Sequence, residues 1–361
     1  MNHEESRGAH HDAGQYAAPA PVDELEAHIA GLPYGVMAND TITPPKPPSP
    51  AQPRTEPLRG VPAHVGKRPP SYPPHPLQSP SLRAGDPFAA CSPAVLLDGA
   101  AAGRLTVRAV SVRGDSHNWE GSCRQDAMTV TRIGPPEAEM LLLAVADGVG
   151  SAAYSHIGSY RAARETARHL DREAEGVHAA LSAQDEGELR AIANKAIANA
   201  VSELRAGWEV SARNEGRPYA DQDYATTLHV LLVPTDARIR ERVVFSVGDG
   251  GLFVLREGSW EARNAIADGG VLDTRTDALP HAYRSVKATL LRTEPGEVLL
   301  LGTDGITNPL TQKDPEFARH LADAWGGPEV PSLSDFLWQA QTRAKSYDDD
   351  RTVICVWEEG A

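Results

Sequence analysis

Hydrophobic and polar residues follow one another along this chain in three rhythms. Over 105–112 they alternate as Leu-Thr-Val-Arg-Ala-Val-Ser-Val, a period of two that predicts a half-buried strand. At 141–146 (Leu-Leu-Leu-Ala-Val-Ala) and 298–301 (Val-Leu-Leu-Leu) the apolar residues are continuous, and each run has the length of a strand. Further strands are predicted at 127–131, 225–233, 243–247, 252–256, 286–291 and 352–357. The helical rhythm is clearest at 189–210, where Ile192, Ala196, Ile197, Val201 and Leu204 recur on one face. Two more helices are predicted at 155–172 and 333–345, while 114–121 reads as a polar loop. Helices bracketed by β-hairpins, without regular βαβ alternation, predict an α+β sandwich and not a parallel sheet.

Composition divides the chain. The first 90 residues hold 18 of its 29 prolines, including Pro44-Pro45-Lys46-Pro47-Pro48 and Pro69-Pro70-Ser71-Tyr72-Pro73-Pro74. A segment so poor in apolar residues cannot offset its ordering entropy, so 1–95 is expected to be a disordered proline-rich arm, with a short helix possible at 22–32. It serves as a tail or linker, or as a docking arm for a proline-binding partner. The folded domain is expected at 104–358, long enough for one well-formed core. Of the net charge of −14, only −2 comes from the first 90 residues, which carry seven Lys/Arg against nine Asp/Glu. An acidic domain argues against nucleic acid or an anionic membrane as partner and suits a cation. No apolar stretch reaches membrane-spanning length and no signal-peptide core is present, which predicts a soluble cytoplasmic protein. Cys91, Cys123 and Cys355 are unclustered, as expected in a reducing compartment and not for structural zinc.

Candidate chemistry sits at strand ends. The run at 141–146 ends on Asp147-Gly148, and that at 298–303 ends on Asp304-Gly305, more than 150 residues later. Asp126 precedes one predicted strand, and Asp348-Asp349-Asp350 precedes another. Asp-Gly is a favoured turn dipeptide, and Asp249-Gly250 is a third copy, so each alone is ordinary. Four carboxylate positions at strand ends, however, are the oxygen-rich arrangement that Mg2+ and Mn2+ prefer.

The order of short motifs resembles the metal-dependent (type 2C) serine/threonine protein phosphatases, and their bacterial branch in particular. Gln125-Asp126-Ala127, Ala146-Asp147-Gly148-Val149-Gly150, Ala225-Thr226-Thr227, Gly248-Asp249-Gly250, Thr303-Asp304-Gly305 and Asp349-Asp350-Arg351-Thr352 carry the resemblance. It implies a four-layer α-β-β-α sandwich, two antiparallel sheets flanked by helices, with a dinuclear Mn2+ or Mg2+ centre at one end. Asp147 would bridge two ions, the carbonyl of Gly148 would bind one, and Asp304 and Asp349 would complete the set. Asp126 would hold a metal-bound water. The number of ions is two, with a third left open. In such a site two cations about 3.5–4 Å apart activate water and clamp phosphate oxygens during in-line attack. The implied activity is hydrolysis of phosphoserine and phosphothreonine in proteins by a metal-bridged water. The implied partners are a phosphoprotein substrate and a serine/threonine kinase. The alternative is a catalytically weak relative that binds phosphoprotein as a regulator.

Two departures bear on this choice. Where eukaryotic members carry a phosphate-binding Arg, five residues before the early Asp, this chain has Gly121. Arg113 or Arg124 could replace it, although a surface role is the simpler expectation for both. Val149 stands where eukaryotic members have a histidine. His117 either contacts phosphate or a metal-held water, or hydrogen-bonds within its loop. Asp348 and Asp350 are read as solvated flanks of Asp349, with a one-residue shift making Asp350 the ligand. Asp221, Asp223 and Asp249 are read as turn residues. Residues 266–283 correspond to the family's flap.

Overall fold

The computed structural model describes residues 64–72, 93–215, 218–263, 277–311 and 315–359. The expected helix at 22–32, most of the proline-rich arm and the greater part of the expected flap lie outside these residues.

Among the described residues, eleven strands form two antiparallel sheets. The first contains β1 (Val95–Ala102), β2 (Leu105–Val112), β7 (Gly251–Arg256), β8 (Ser259–Ala262), β10 (Val298–Gly302) and β11 (Arg351–Glu358), in the order β1-β2-β11-β10-β7-β8. The second contains β3 (Ala127–Ile133), β4 (Met140–Ala146), β5 (Leu228–Pro234), β6 (Glu241–Val247) and β9 (Lys287–Arg292), in the order β3-β4-β5-β6-β9. Helices α2 (Ser155–Arg172), α3 (Ala174–Ser182) and α4 (Glu186–Glu215) pack on the second sheet. Helices α5 (Asp304–Thr311), α6 (Pro315–Trp325) and α7 (Leu333–Ala340) pack on the first. The expected α-β-β-α sandwich is the observed one.

The continuous apolar runs follow from this layering. In β4, Met140, Leu142, Ala144 and Ala146 join the core under α2–α4, while Leu141, Leu143 and Val145 join the core between the sheets. In β11, Val353, Cys355 and Trp357 face the helices on the other side, and Ile354 and Val356 face the other sheet. A strand covered on both faces must be apolar at every position, so its alternation is hidden. Each fully buried Leu or Val contributes on the order of 1.5–3 kcal/mol.

The element boundaries differ from expectation where local pattern and packing disagree. The stretch 114–121, read as a loop, contains a short helix, α1 (Asp115–Glu120), closed by Gly121 at φ +79°. Its polar composition reflects the absence of any buried residue on it. Strand β1 precedes residue 104 and pairs with β2 along its whole length. Its run of small residues, Asp-Gly-Ala-Ala-Ala, carries little strand signal. The last helix stops at Ala340 instead of 345, because 341–350 turns back to deliver the acidic triplet to β11. Among the described residues, no helix is long and apolar enough to cross a membrane.

Candidate functional site

Strand register gathers the predicted acidic residues at one end of the sandwich. Ala127 pairs with Ala146, which puts Asp126 and Asp147 at neighbouring strand ends in the second sheet. Gly302 pairs with Val353, and Arg351 with Val112, which brings Asp304, the 348–350 triplet and Gly114 to the same end of the first sheet. The turn from β6 to β7, carrying Asp249, closes this end as well. A cleft of about 520 Å3 lined by Ala100, Gly103, Val130 and Arg132 lies at the opposite end, away from these carboxylates.

Asp147 is fixed through its backbone. Thr226 Oγ1 donates to its carbonyl at 2.8 Å, Thr227 N donates to the same oxygen at 2.8 Å, and its own N–H donates to Thr227 Oγ1 at 3.1 Å. These contacts explain the two hydroxyl residues ahead of β5. Gly148 follows, held by the adjacent Val149 N to Ala225 O bond of 2.9 Å. A Cβ on Gly148 would lie 2.8 Å from the Gln125 carbonyl, and one on Gly305 would overlap the Asp350 carbonyl. Both Asp-Gly glycines therefore serve close backbone packing: neither has a positive φ, and each lies against the segment that bears another acidic residue.

The carboxylates crowd one another. Burial, together with the charges of Asp126 and Asp304, pushes the Asp147 carboxyl well above its ordinary range. Burial and the charges of Asp249 and Asp349 raise Asp304 against its contact with Asp147. Asp126, 3% exposed, is pushed to about 8 by burial and by Asp350, against the donors Thr352 and Thr303. Asp126 Oδ2 accepts from Thr303 Oγ1 at 2.8 Å and Thr352 Oγ1 at 2.7 Å. Asp126 Oδ1 and Asp304 Oδ1 are buried without a hydrogen-bond donor. Acidic oxygens left bare in a buried cluster are unfavourable for the protein alone and suit a cation.

The support under Asp126 goes beyond what was expected of these residues. Arg124 Nη1 donates to Ser111 Oγ at 2.7 Å, and Ser111 Oγ lies 2.6 Å from Thr352 Oγ1. An Arg only donates, and an ionised carboxylate only accepts. With Asp126 ionised, the hydroxyl protons therefore point one way, from Ser111 to Thr352 and from Thr352 to Asp126. Hydroxyl residues at 111, 303 and 352, inside otherwise apolar strand ends, were the available signal. Replacing Thr352 by Val keeps the shape and removes the donor, which should lower stability by about 1–3 kcal/mol. Thr352→Ser should restore most of it. Denaturant midpoints of the two variants measure the effect, and an unchanged midpoint for Thr352→Val would contradict the assignment.

Two expectations need correction. Asp350 is not a solvated flank: it is 3% exposed and accepts from Gly114 N (2.8 Å), His117 Nδ1 (2.9 Å), Gln125 N (2.6 Å) and Asp126 N (3.4 Å). With these donors around its oxygens, Asp350 ties α1, the 124–126 segment and β11 together. Asp349 is the exposed member, with a side chain 60% accessible. Arg124 is not a surface residue either, since it is 1% exposed and also donates to the carbonyls of Pro93 and Asp126. Arg113 donates to Asn118 Oδ1 at 2.7 Å and to Ser122 O at 3.3 Å.

His117 joins its Nδ1 to Asp350 and places Nε2 3.7 Å from Asp349 Oδ1. Ligand atoms of His117, Asp349 and Asp350 all lie within 4.8 Å of one another. Burial disfavours the imidazolium, but the bond to Asp350 and the charges of Asp350, Asp349 and Asp126 outweigh it and raise His117 to about 9. Asp221 is held by Arg205 at 3.0 Å, and the Asp249 carbonyl accepts from His229 Nε2, both in keeping with turn roles.

A family model for protein phosphatase 2C matches residues 113–338. Among solved structures, PppA of Pseudomonas aeruginosa, titled a key regulatory component of T6SS, is 20% identical with a TM-score of 0.45. That match covers 71% of this chain and 99% of the other. The Mycobacterium tuberculosis serine/threonine phosphatase PstP/Ppp is 18% identical, covering 73% and 100%, with a TM-score of 0.45. The catalytic domain of PstP in complex with two manganese ions is 19% identical, covering 71% and 99%, again with a TM-score of 0.45. No curated protein sequence matches the chain.

Proposed function

The chain belongs to the protein phosphatase 2C family, and from that premise we propose that it hydrolyses phosphoserine and phosphothreonine in proteins with divalent cations bound at its acidic end. The observation that carries this reading is the convergence of Asp126, Asp147, Asp304 and Asp349 from separate strand ends, with two buried carboxylate oxygens that have no donor. The all-oxygen donor set fits Mn2+ or Mg2+. Asp147, the Gly148 carbonyl, Asp304 and Asp349 would hold the ions, two in number, with a third left open. Bound there, the cations supply Lewis acidity toward water and phosphoryl oxygens.

The chain's own residues do the rest. Asp126 is locked through Oδ2 by two threonine hydroxyls, so Oδ1 is the free atom that accepts a proton from water and orients it. His117, anchored by Asp350 and with Nε2 3.7 Å from Asp349 Oδ1, is the cationic group that would meet incoming phosphate. Direct attack by water needs no serine or cysteine nucleophile; Cys355 is fully buried with its thiol pushed well above its ordinary range by burial. The substrate is a phosphoprotein, and a serine/threonine kinase is the source of its phosphate.

Both arginines considered as phosphate ligands are engaged elsewhere, which favours the regulator as the second reading. Phosphate release from a phosphothreonine peptide separates the two. The enzyme releases phosphate over many turnovers with Mn2+ and none with a chelator. The regulator retains the peptide in the presence of Mn2+ and releases no phosphate.

A further inference from the structure

Residues 64–72 precede β1, the first strand of the sandwich, yet they are seated against the loop and helix that carry His117, Asp349 and Asp350. Val65 N donates to the Arg343 carbonyl at 2.9 Å, and Val65 forms a parallel bridge with Ala344. The Val65 side chain packs against the core beneath the first sheet. Farther along, Lys345 Nζ donates to Ser71 Oγ, Arg343 Nη2 donates to the Tyr72 carbonyl, and the Tyr72 ring lies 6.2 Å from that of Trp119 in α1.

Arg343 is the centre of this arrangement. Its Nε donates to Asp115 Oδ2 at 2.6 Å, in a pair with both side chains more than 80% buried (18% and 17% accessible). The planar fork of one guanidinium thus spans the 64–72 segment on one side and the first residue of α1 on the other. The next residue of α1 is held by the same loop: Ser116 N and Oγ both donate to the Asp348 carbonyl, at 3.0 and 2.8 Å. His117 and Asp349 follow directly along their respective segments.

We infer that residues 64–72 are a strap that completes the active site, with Arg343 as the positioning residue that couples the strap to α1 and to the 345–350 loop. A six-residue helix with no buried residue has little stability of its own. Its placement depends on outside contacts: Asp348 and Asp350 hold Ser116 and His117, and the strap adds those at Trp119 and, through Arg343, at Asp115. The site is thereby built partly from the proline-rich arm and not from the family domain alone. This rests on the phosphatase reading for its catalytic consequence, though not for its structural one.

The test uses the full chain with Val65→Pro, which removes the amide donor, and Tyr72→Ala, which removes the ring against Trp119. Tyr72→Phe is the conservative control. Hydrogen exchange at 115–120, calorimetric Mn2+ affinity and the kcat and KM for a phosphothreonine peptide are measured together. Both disruptive variants should exchange faster at 115–120 and bind Mn2+ about tenfold more weakly, the scale for losing support behind metal ligands. Their kcat should fall by more than KM changes, and Tyr72→Phe should behave as the parent. Parental exchange and Mn2+ affinity in both Val65→Pro and Tyr72→Ala would overturn the inference. If the parent binds Mn2+ but releases no phosphate, the phosphatase reading fails, while the exchange and affinity arms still decide the strap.

Discussion

Asp147→Asn should abolish Mn2+-dependent turnover while making the metal-free protein more stable. Removing one preorganised electrostatic group commonly costs about a hundredfold to a thousandfold in rate, and Asp147 is the carboxylate most deeply surrounded by the others. The stability gain follows from the same crowding. Asp147 and Asp126 are raised above their ordinary range, so the folded metal-free chain holds protons more tightly than the unfolded one. Stability therefore rises as pH falls through the folded values, from about 8 for Asp126 toward the ordinary carboxylate range near about 4. In chelator, the parent should be more stable at pH 6 than at pH 8. Asp147→Asn should flatten this slope and raise the midpoint at pH 8, where about 1 kcal/mol corresponds to roughly 2–4 °C. Thermal melts across this range in chelator make the comparison. A variant less stable than the parent at pH 8 would mean that the cluster is held by donors and not by mutual repulsion awaiting a cation.

Neighbouring aspartates should fail in opposite ways. Asp349→Ala removes a largely accessible side chain and frees one donor only, the Asp350 N–H that reaches Asp349 Oδ1 at 2.8 Å, so folding should be nearly preserved and Mn2+ affinity lost. Asp350→Ala removes the acceptor for Gly114 N, His117 Nδ1 and Gln125 N in a buried setting. Breaking a buried, charge-assisted network by deleting one partner costs about 3–5 kcal/mol, a large share of a typical domain's stability. Urea unfolding and Mn2+ calorimetry on the two variants read both effects. Equal loss of stability in the two would contradict the distinct positions given to these residues.

That pair also marks what could and could not be read from the sequence. The acidic strand ends were legible because buried strands have unmistakable apolar runs, and Asp147 and Asp304 punctuate them. Between Asp349 and Asp350 the sequence offers no choice, since burial alternates along an extended chain and its phase at 348–350 is set by the loop from 341. Arg124 was misread for a related reason: a charged residue is normally exposed, and only the fold provides the Ser111 hydroxyl and the Pro93 and Asp126 carbonyls that accommodate it. Helix α1 carries no amphipathic pattern because its contacts are made end-on, by Arg343, Asp348 and Asp350. The α+β sandwich, by contrast, was legible in helices bracketed by hairpins, while its four-layer order came with the family resemblance; runs such as 141–146 accord with it because they are covered on both faces.

The most direct test of the account is Mn2+ calorimetry on the parent and on Asp304→Asn, with phosphate release from a phosphothreonine peptide measured on the same samples. The account predicts saturable Mn2+ binding and metal-dependent turnover in the parent, with both lost in a variant that melts no lower than the parent in chelator. Undiminished Mn2+ binding in Asp304→Asn, or a folded, Mn2+-loaded parent that releases no phosphate, would contradict it.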